Sequence, residues 1–189
     1  MFKESLELEK DIFGETSLPV AKQLNNLANL YEMQGRLNQA EVLCKKALDM
    51  QRTLLKEEDV DISTSLNNLA NIYESQRRFD EAETLYKESL HLRETLLGKN
   101  HPYTAQTLNN IGYLYKSKFE YERAEPLLLE ALELREKIFG DNHLDVAESL
   151  SNLADLYIRT NQITKAVDCL ERSCKIRKKI LGIKASQNS

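Results

Sequence analysis

One long segment recurs four times along this chain at a fixed interval. LNNLANLYEMQGRLNQAEVLCKKAL opens at Leu24, LNNLANIYESQRRFDEAETLYKESL at Leu66, LNNIGYLYKSKFEYERAEPLLLEAL at Leu108 and LSNLADLYIRTNQITKAVDCLERSC at Leu150, a constant spacing of 42 residues. SLELEKDIFGETSLPVAKQ, from Ser5 to Gln23, aligns with ALELREKIFGDNHLDVAES, from Ala131 to Ser149, three periods on. The chain thus reads as opening inside a repeat. A fixed period means that one supersecondary unit is copied and that neighbouring copies share a core, which restricts the fold to a repeat architecture.

The spacing within a period is helical. Leu24, Leu27, Ala28 and Tyr31 fall at i, i+3, i+4 and i+7, and Tyr73, Tyr115 and Tyr157 repeat the Tyr31 slot. Ala40, Leu43, Ala47 and Leu48 trace a second stripe, with Ala82, Ala124 and Ala166 in the Ala40 slot, where a small residue lets two helix backbones come close. Between the stripes stand short turns such as Gln34-Gly35-Arg36, which fit only an antiparallel helix pair. Gly98, Gly140 and Gly182 mark the ends of second helices, because glycine takes the left-handed C-cap conformation without a Cβ penalty. The expected fold is an all-α, right-handed α-solenoid of helical hairpins with about nine helices. The expected organisation is the second helix of a partial leading repeat over 1–17, repeats over 18–59, 60–101, 102–143 and 144–182, and a polar tail over 183–189.

Composition agrees with helices. The 189 residues include 6 Gly, 3 Pro and no Trp, too few turn formers for a protein of many short strands. A formal charge of −4, with both signs mixed along the chain, supplies no field for phosphate backbone, so nucleic-acid binding is not expected. No apolar run is long enough to span a bilayer and MFKESLELEKD lacks a signal-peptide apolar region, so the expected location is cytoplasmic. Cys44, Cys169 and Cys174 are odd in number and lack CxxC spacing, which disfavours a disulfide framework or zinc site and leaves packing as their role. His101 and His143 share a loop slot with Ser17 and Asp59, which suits helix capping better than metal ligation. With no GxSxG, P-loop, GxGxxG or HExxH motif, neither an enzyme nor a cofactor is expected.

The L-x-x-L-A/G-x-x-Y…A-x-x-x-L/Y…A spacing resembles the tetratricopeptide repeat over nearly the whole chain. That repeat normally spans about 34 residues, so a longer period points to a longer second helix and linker. The LNNLA opening, the AE-x-L-Y/L-x-E-A/S-L centre and the LRE-x-x-x-G-x-N-H-P close resemble the subclass of kinesin light chain, shared by nephrocystin-3. Leu24, Leu66, Leu108 and Leu150 fit that subclass, whereas Ser89 and Ser173 stand where Ala47 and Ala131 keep the small residue late in the second helix, and Lys56-Glu57-Glu58 replaces the glycine linker.

The resemblance implies a superhelix whose first helices line a concave surface, and hence a non-catalytic scaffold for protein partners. Beside the core stripe stand Asn25, Asn26 and Asn29, then Asn67, Asn68 and Asn71, then Asn109, Asn110 and Tyr113, then Ser151, Asn152 and Asp155. Asparagine both donates and accepts, so rows of it suit the N–H and C=O groups of an extended peptide of any sequence. The same rows suit bonds between neighbouring repeats, and both roles stand open at this stage. Lys22, Glu32, Met33, Glu74, Gln106, Lys116, Glu148, Ile158 and Arg159 are further groove positions, with Lys116 and Arg159 favouring acidic ligand residues. The Asn25 slot holds Asn or Ser where carboxylate-clamp relatives carry Lys or Arg, which disfavours capture of an acidic C-terminus. A second expectation is a structural assembly element that stacks end to end or forms part of a longer repeat array, with self-association through the first helix, motivated by Phe2, Leu6, Ile12 and Phe13.

Overall fold

The turns inside the hairpins show why this sequence folds as it does. In each, the carbonyl of the repeat tyrosine accepts from the backbone N–H five residues later: Arg36 to Tyr31 at 2.8 Å, Arg78 to Tyr73 at 2.8 Å, Glu120 to Tyr115 at 2.9 Å and Gln162 to Tyr157 at 2.8 Å. A shorter bond lies inside each, as from Gly35 to Glu32 at 2.8 Å. This is the Schellman closure, which needs one left-handed residue to stop a helix. Gly35, Arg77, Phe119 and Asn161 hold that position, with φ of 71°, 62°, 64° and 59°. Only the first is glycine, so three side chains accept a left-handed backbone for the sake of the turn.

In the computed structural model the described residues are 2–55 and 59–182. The tail 183–189, the Lys56-Glu57-Glu58 linker and the side chains of Phe2 and Leu6 lie outside them. The helices are α1 (Phe2–Phe13), α2 (Leu18–Met33), α3 (Leu37–Leu54), α4 (Val60–Ser75), α5 (Phe79–Leu97), α6 (Pro102–Ser117), α7 (Tyr121–Phe139), α8 (Leu144–Arg159) and α9 (Ile163–Ile180). The first helix of every pair has 16 residues, whereas the second has 18 or 19, which accounts for part of the extra length of the period.

The chain divides into two compact units, Met1–Leu96 and Leu97–Ser189. In the first, α1 packs on α2, α2 pairs with α3, and α4 lies against both α2 and α3. In the second, α6 pairs with α7 and α8 with α9, while α8 also touches α6 and α7. Ala40, Ala82, Ala124 and Ala166 are all buried, as the small-residue slot predicts. Gly112 marks a close approach of α6 and α7: a Cβ there would lie 2.7 Å from Leu128 Cγ and 3.3 Å from Leu128 N.

Side chains at one slot cap α4, α6 and α8, whereas Ser17 in the same slot makes no side-chain cap bond to α2. Asp59 accepts from the N–H of Asp61 at 2.8 Å, His101 Nδ1 from Tyr103 at 3.1 Å and His143 Nδ1 from Asp145 at 3.2 Å. The two histidines are therefore helix caps, each satisfying an otherwise orphaned donor. Among the described residues, no group of three or more His, Cys, Asp or Glu converges to hold a metal ion, and no helix is long and apolar enough to cross a membrane.

Candidate functional site

Asn25 and Asn26 are adjacent on α2 and so point about 100° apart. That angle sends the two asparagine columns to different work. Asn25 is buried, and its Nδ2 donates to Ser65 Oγ of α4 at 2.5 Å, while its Oδ1 accepts from Cys44 Sγ at 3.5 Å. Ser65 Oγ in turn donates to Gln51 Oε1 of α3. Burial pushes the Cys44 thiol up to about 12, so it stays protonated and serves as a donor.

The second unit repeats the arrangement with different side chains. Asn109 is 2% exposed; its Oδ1 accepts from Asn152 Nδ2 at 3.1 Å and Ser149 Oγ at 3.4 Å, and its Nδ2 donates to Glu148 Oε1 at 3.4 Å. Arg135, itself buried, donates from Nη1 to Ser149 Oγ and to the Asp145 carbonyl, both at 2.8 Å. Asn67 is likewise buried. The Asn25 column is therefore committed to the interior, and Asn25 and Asn109 each join one hairpin to the next. Sequence reading missed the partners in these networks, although a signal was present: Gln51, Arg93, Arg135 and Arg177 recur at the same period on the second helices.

The neighbouring column stays at the surface. Asn26 is exposed, and Asn68, Asn110 and Asn152 are half-buried. Asn29 and Asn71 are also half-buried, and Tyr113 is exposed. Tyr86 of α5 donates to Asn71 Oδ1 at 2.6 Å and is 2.9 Å from Glu74 Oε2. Cys44 occupies the Tyr86 slot one repeat earlier, and Asn29 Oδ1 there is buried with no hydrogen-bond partner among the described residues.

Lys116 does not offer a free charge. It is buried, donates to Asp155 Oδ2 at 2.6 Å and lies 4.0 Å from the centre of the Tyr113 ring. Arg159 is exposed and donates to Asp155 Oδ1 at 3.2 Å. Burial raises the Asp155 carboxyl, but the Lys116 and Arg159 cations outweigh it and hold the group below its ordinary range. One carboxylate thus faces two cations in this cluster, although Asp145 and Glu148 leave α6 and α8 together with one net negative charge. Met33 and Ile158 are exposed at the ends of α2 and α8, close to where each chain turns into the second helix.

Family models described as tetratricopeptide repeat match residues 20–61 in one case and 61–137 and 117–179 in the other. The chain belongs to the tetratricopeptide-repeat family. No curated protein sequence matches it. Among solved structures, BtubC (BKLC) of P. vanneervenii is 27% identical, with a TM-score of 0.79 over 100% of this chain and 75% of its own. A Podosopora anserina protein with nearly identical TPR-like repeats, named for kinesin light chain, is 20% identical, with a TM-score of 0.69 over 100% of this chain and 86% of its own. Aspartyl phosphate phosphatase F of Bacillus subtilis is 15% identical, with a TM-score of 0.78 over 96% of this chain and 46% of its own. Among the described residues the secondary structure of this tetratricopeptide-repeat chain is helical, and its fold is like that of the repeats named for kinesin light chain.

Proposed function

We propose that this tetratricopeptide array is a non-catalytic protein-interaction scaffold that binds an extended peptide segment of a partner along its first helices. The carrying observation is the division of labour between the asparagine columns. Asn25 and Asn109 are consumed by stacking, whereas Asn26 is exposed and Asn68 and Asn110 keep part of their surface; Asn152 serves both sides, half-buried while its Nδ2 donates to Asn109. Asparagine is a mediocre helix former, so a fourfold column on the outer flank of first helices needs a reason beyond propensity. Hydrogen bonds to a peptide backbone supply one.

The proposed contacts are Asn26, Asn29, Asn68 and Asn71 on α2 and α4 in the first unit, and Asn110, Tyr113, Asn152 and Arg159 on α6 and α8 in the second. Packed helices lie about 8–10 Å apart and an extended chain advances about 3.3 Å per residue, so each helix meets roughly every third peptide unit. Side chains between those units would then set specificity. A fluorescently labelled random peptide library tests this reading: peptides retained by the wild type should be lost by Asn26→Ala/Asn68→Ala, and retention that ignores both substitutions refutes it.

A second reading rests on α1, where Leu8, Ile12 and Phe13 are 60%, 62% and 55% exposed. This apolar face fits assembly through the first helix. Light scattering of a Leu8→Lys/Ile12→Lys variant against wild type tests it, and a wild type that stays monomeric over a wide concentration range overturns it.

A further inference from the structure

A cavity of about 420 Å³ lies between α1, α2 and the start of α4, within the first unit. Its polar wall is the Glu9 carboxylate of α1. One carboxylate oxygen, Oε1, accepts from Gln23 Nε2 at 2.9 Å. The other, Oε2, is buried, and no donor among the described residues reaches it. A buried anionic acceptor left unmatched is rare, because desolvated carboxylates are ordinarily satisfied.

The rest of the lining sets the charge and shape of what the cavity would hold. Leu18 and Pro19 form an apolar side, Asp61 adds a second carboxylate, and Lys22 stands exposed at the mouth, leaving one net negative charge. Asn26, the first residue of the surface asparagine column, is also part of the lining. We infer that this cavity is a side-chain pocket for a lysine or arginine of a bound peptide, the cation pairing with the Glu9 and Asp61 carboxylates and the aliphatic stem lying on Leu18 and Pro19. A long basic side chain matches both halves of the lining, since its methylene stem is apolar and its charge sits only at the tip. The pocket deepens the peptide-scaffold reading by giving it a charge preference at the α2 end.

A probe smaller than a peptide separates the pocket from the strip. Uniformly ¹⁵N-labelled protein is titrated with n-butylammonium chloride, with sodium butyrate as the opposite-charge control at equal ionic strength. The expected result is saturable shifts at the Gln23 side-chain amide and the Lys22 and Asn26 backbone amides with butylammonium alone. Glu9→Gln, which keeps the acceptor for Gln23 but removes the charge, should weaken binding about fivefold or more, and Lys22→Glu should strengthen it about two- to fivefold. Unchanged Glu9→Gln affinity, no saturable shift at those amides, or saturation by butyrate would each overturn the pocket. Failure of the peptide library with an intact butylammonium response would instead overturn the peptide strip and leave the pocket standing.

Discussion

Gly112→Ala should destabilise the second unit even though alanine is the better helix former. The helix-propensity gain is about 1 kcal/mol. Against it, the new methyl would meet Leu128 Cγ at 2.7 Å and Cδ2 at 2.8 Å, well inside the roughly 3.5–4.0 Å of relaxed carbon contact. Leu128 is fully buried, so it cannot swing into solvent, and its backbone nitrogen at 3.3 Å resists a simple rotamer change. Overpacking of this kind typically costs about 1–3 kcal/mol, and an overlap of nearly 1 Å at two carbons belongs at the upper end. The net expectation is a loss of about 1–2 kcal/mol, read as a lower urea midpoint with α6 and α7 amides losing exchange protection first. Leu128→Cys should relieve the clash, because Ala28 and Cys44 occupy the same two slots in the first hairpin. The double variant should therefore be less damaged than the sum of the singles, with a coupling of about 1–2 kcal/mol. If Gly112→Ala stabilises by its full propensity gain, or if the two substitutions add independently, the close approach of α6 and α7 is not the reason for this glycine.

Two other substitutions probe the turns and the surface ion network. Phe119→Gly should stabilise the third hairpin turn by about 0.5–1 kcal/mol in urea unfolding, because the left-handed backbone strain exceeds the lost edge contact with Tyr121; a destabilised variant refutes this. Glu41 accepts from Lys45 at 2.7 Å, Gln76 at 2.9 Å and Arg78 at 3.0 Å, and although burial raises its carboxyl, these bonds win and bring it to about 2. A depressed carboxyl contributes stability that is present above its unfolded value of 4.5 and is lost as pH falls toward 2. Wild type should lose about 1–2 kcal/mol more than Glu41→Gln over that window, allowing for solvent screening, and parallel pH profiles would contradict it.

Period and apolar stripe were enough to read the hairpins, because both depend on side-chain spacing along one helix. The left-handed turn slot was legible at Gly35 but not at Phe119, since there the Schellman bonds to Tyr115 and Lys116 override the local preference of a bulky residue. The histidine slot announced capping once Asp59 was seen to share it. The split between asparagine columns was half legible. Counted from Leu24, Asn26 lies about 200° round the helix and Asn25 about 100°, so only Asn25 flanks the core. What that flank bonds to depends on Ser65 and Gln51 in one unit and Ser149 and Arg135 in the other, partners supplied by neighbouring helices and invisible along a single one. The Glu9 pocket was hidden for the same reason, as its lining comes from α1, α2 and α4.

The division between the two asparagine columns is tested most directly by measuring urea unfolding and peptide retention on the same four variants. Asn25→Ala and Asn109→Ala should each lose about 1–3 kcal/mol, since each removes a buried hydrogen-bonded side chain. Asn26→Ala and Asn68→Ala should unfold within about 0.5 kcal/mol of wild type while releasing the library peptides that wild type holds. The opposite pattern, with Asn26→Ala or Asn68→Ala unfolding early and Asn25→Ala or Asn109→Ala stable, would contradict the assignment of stacking to one column and binding to the other.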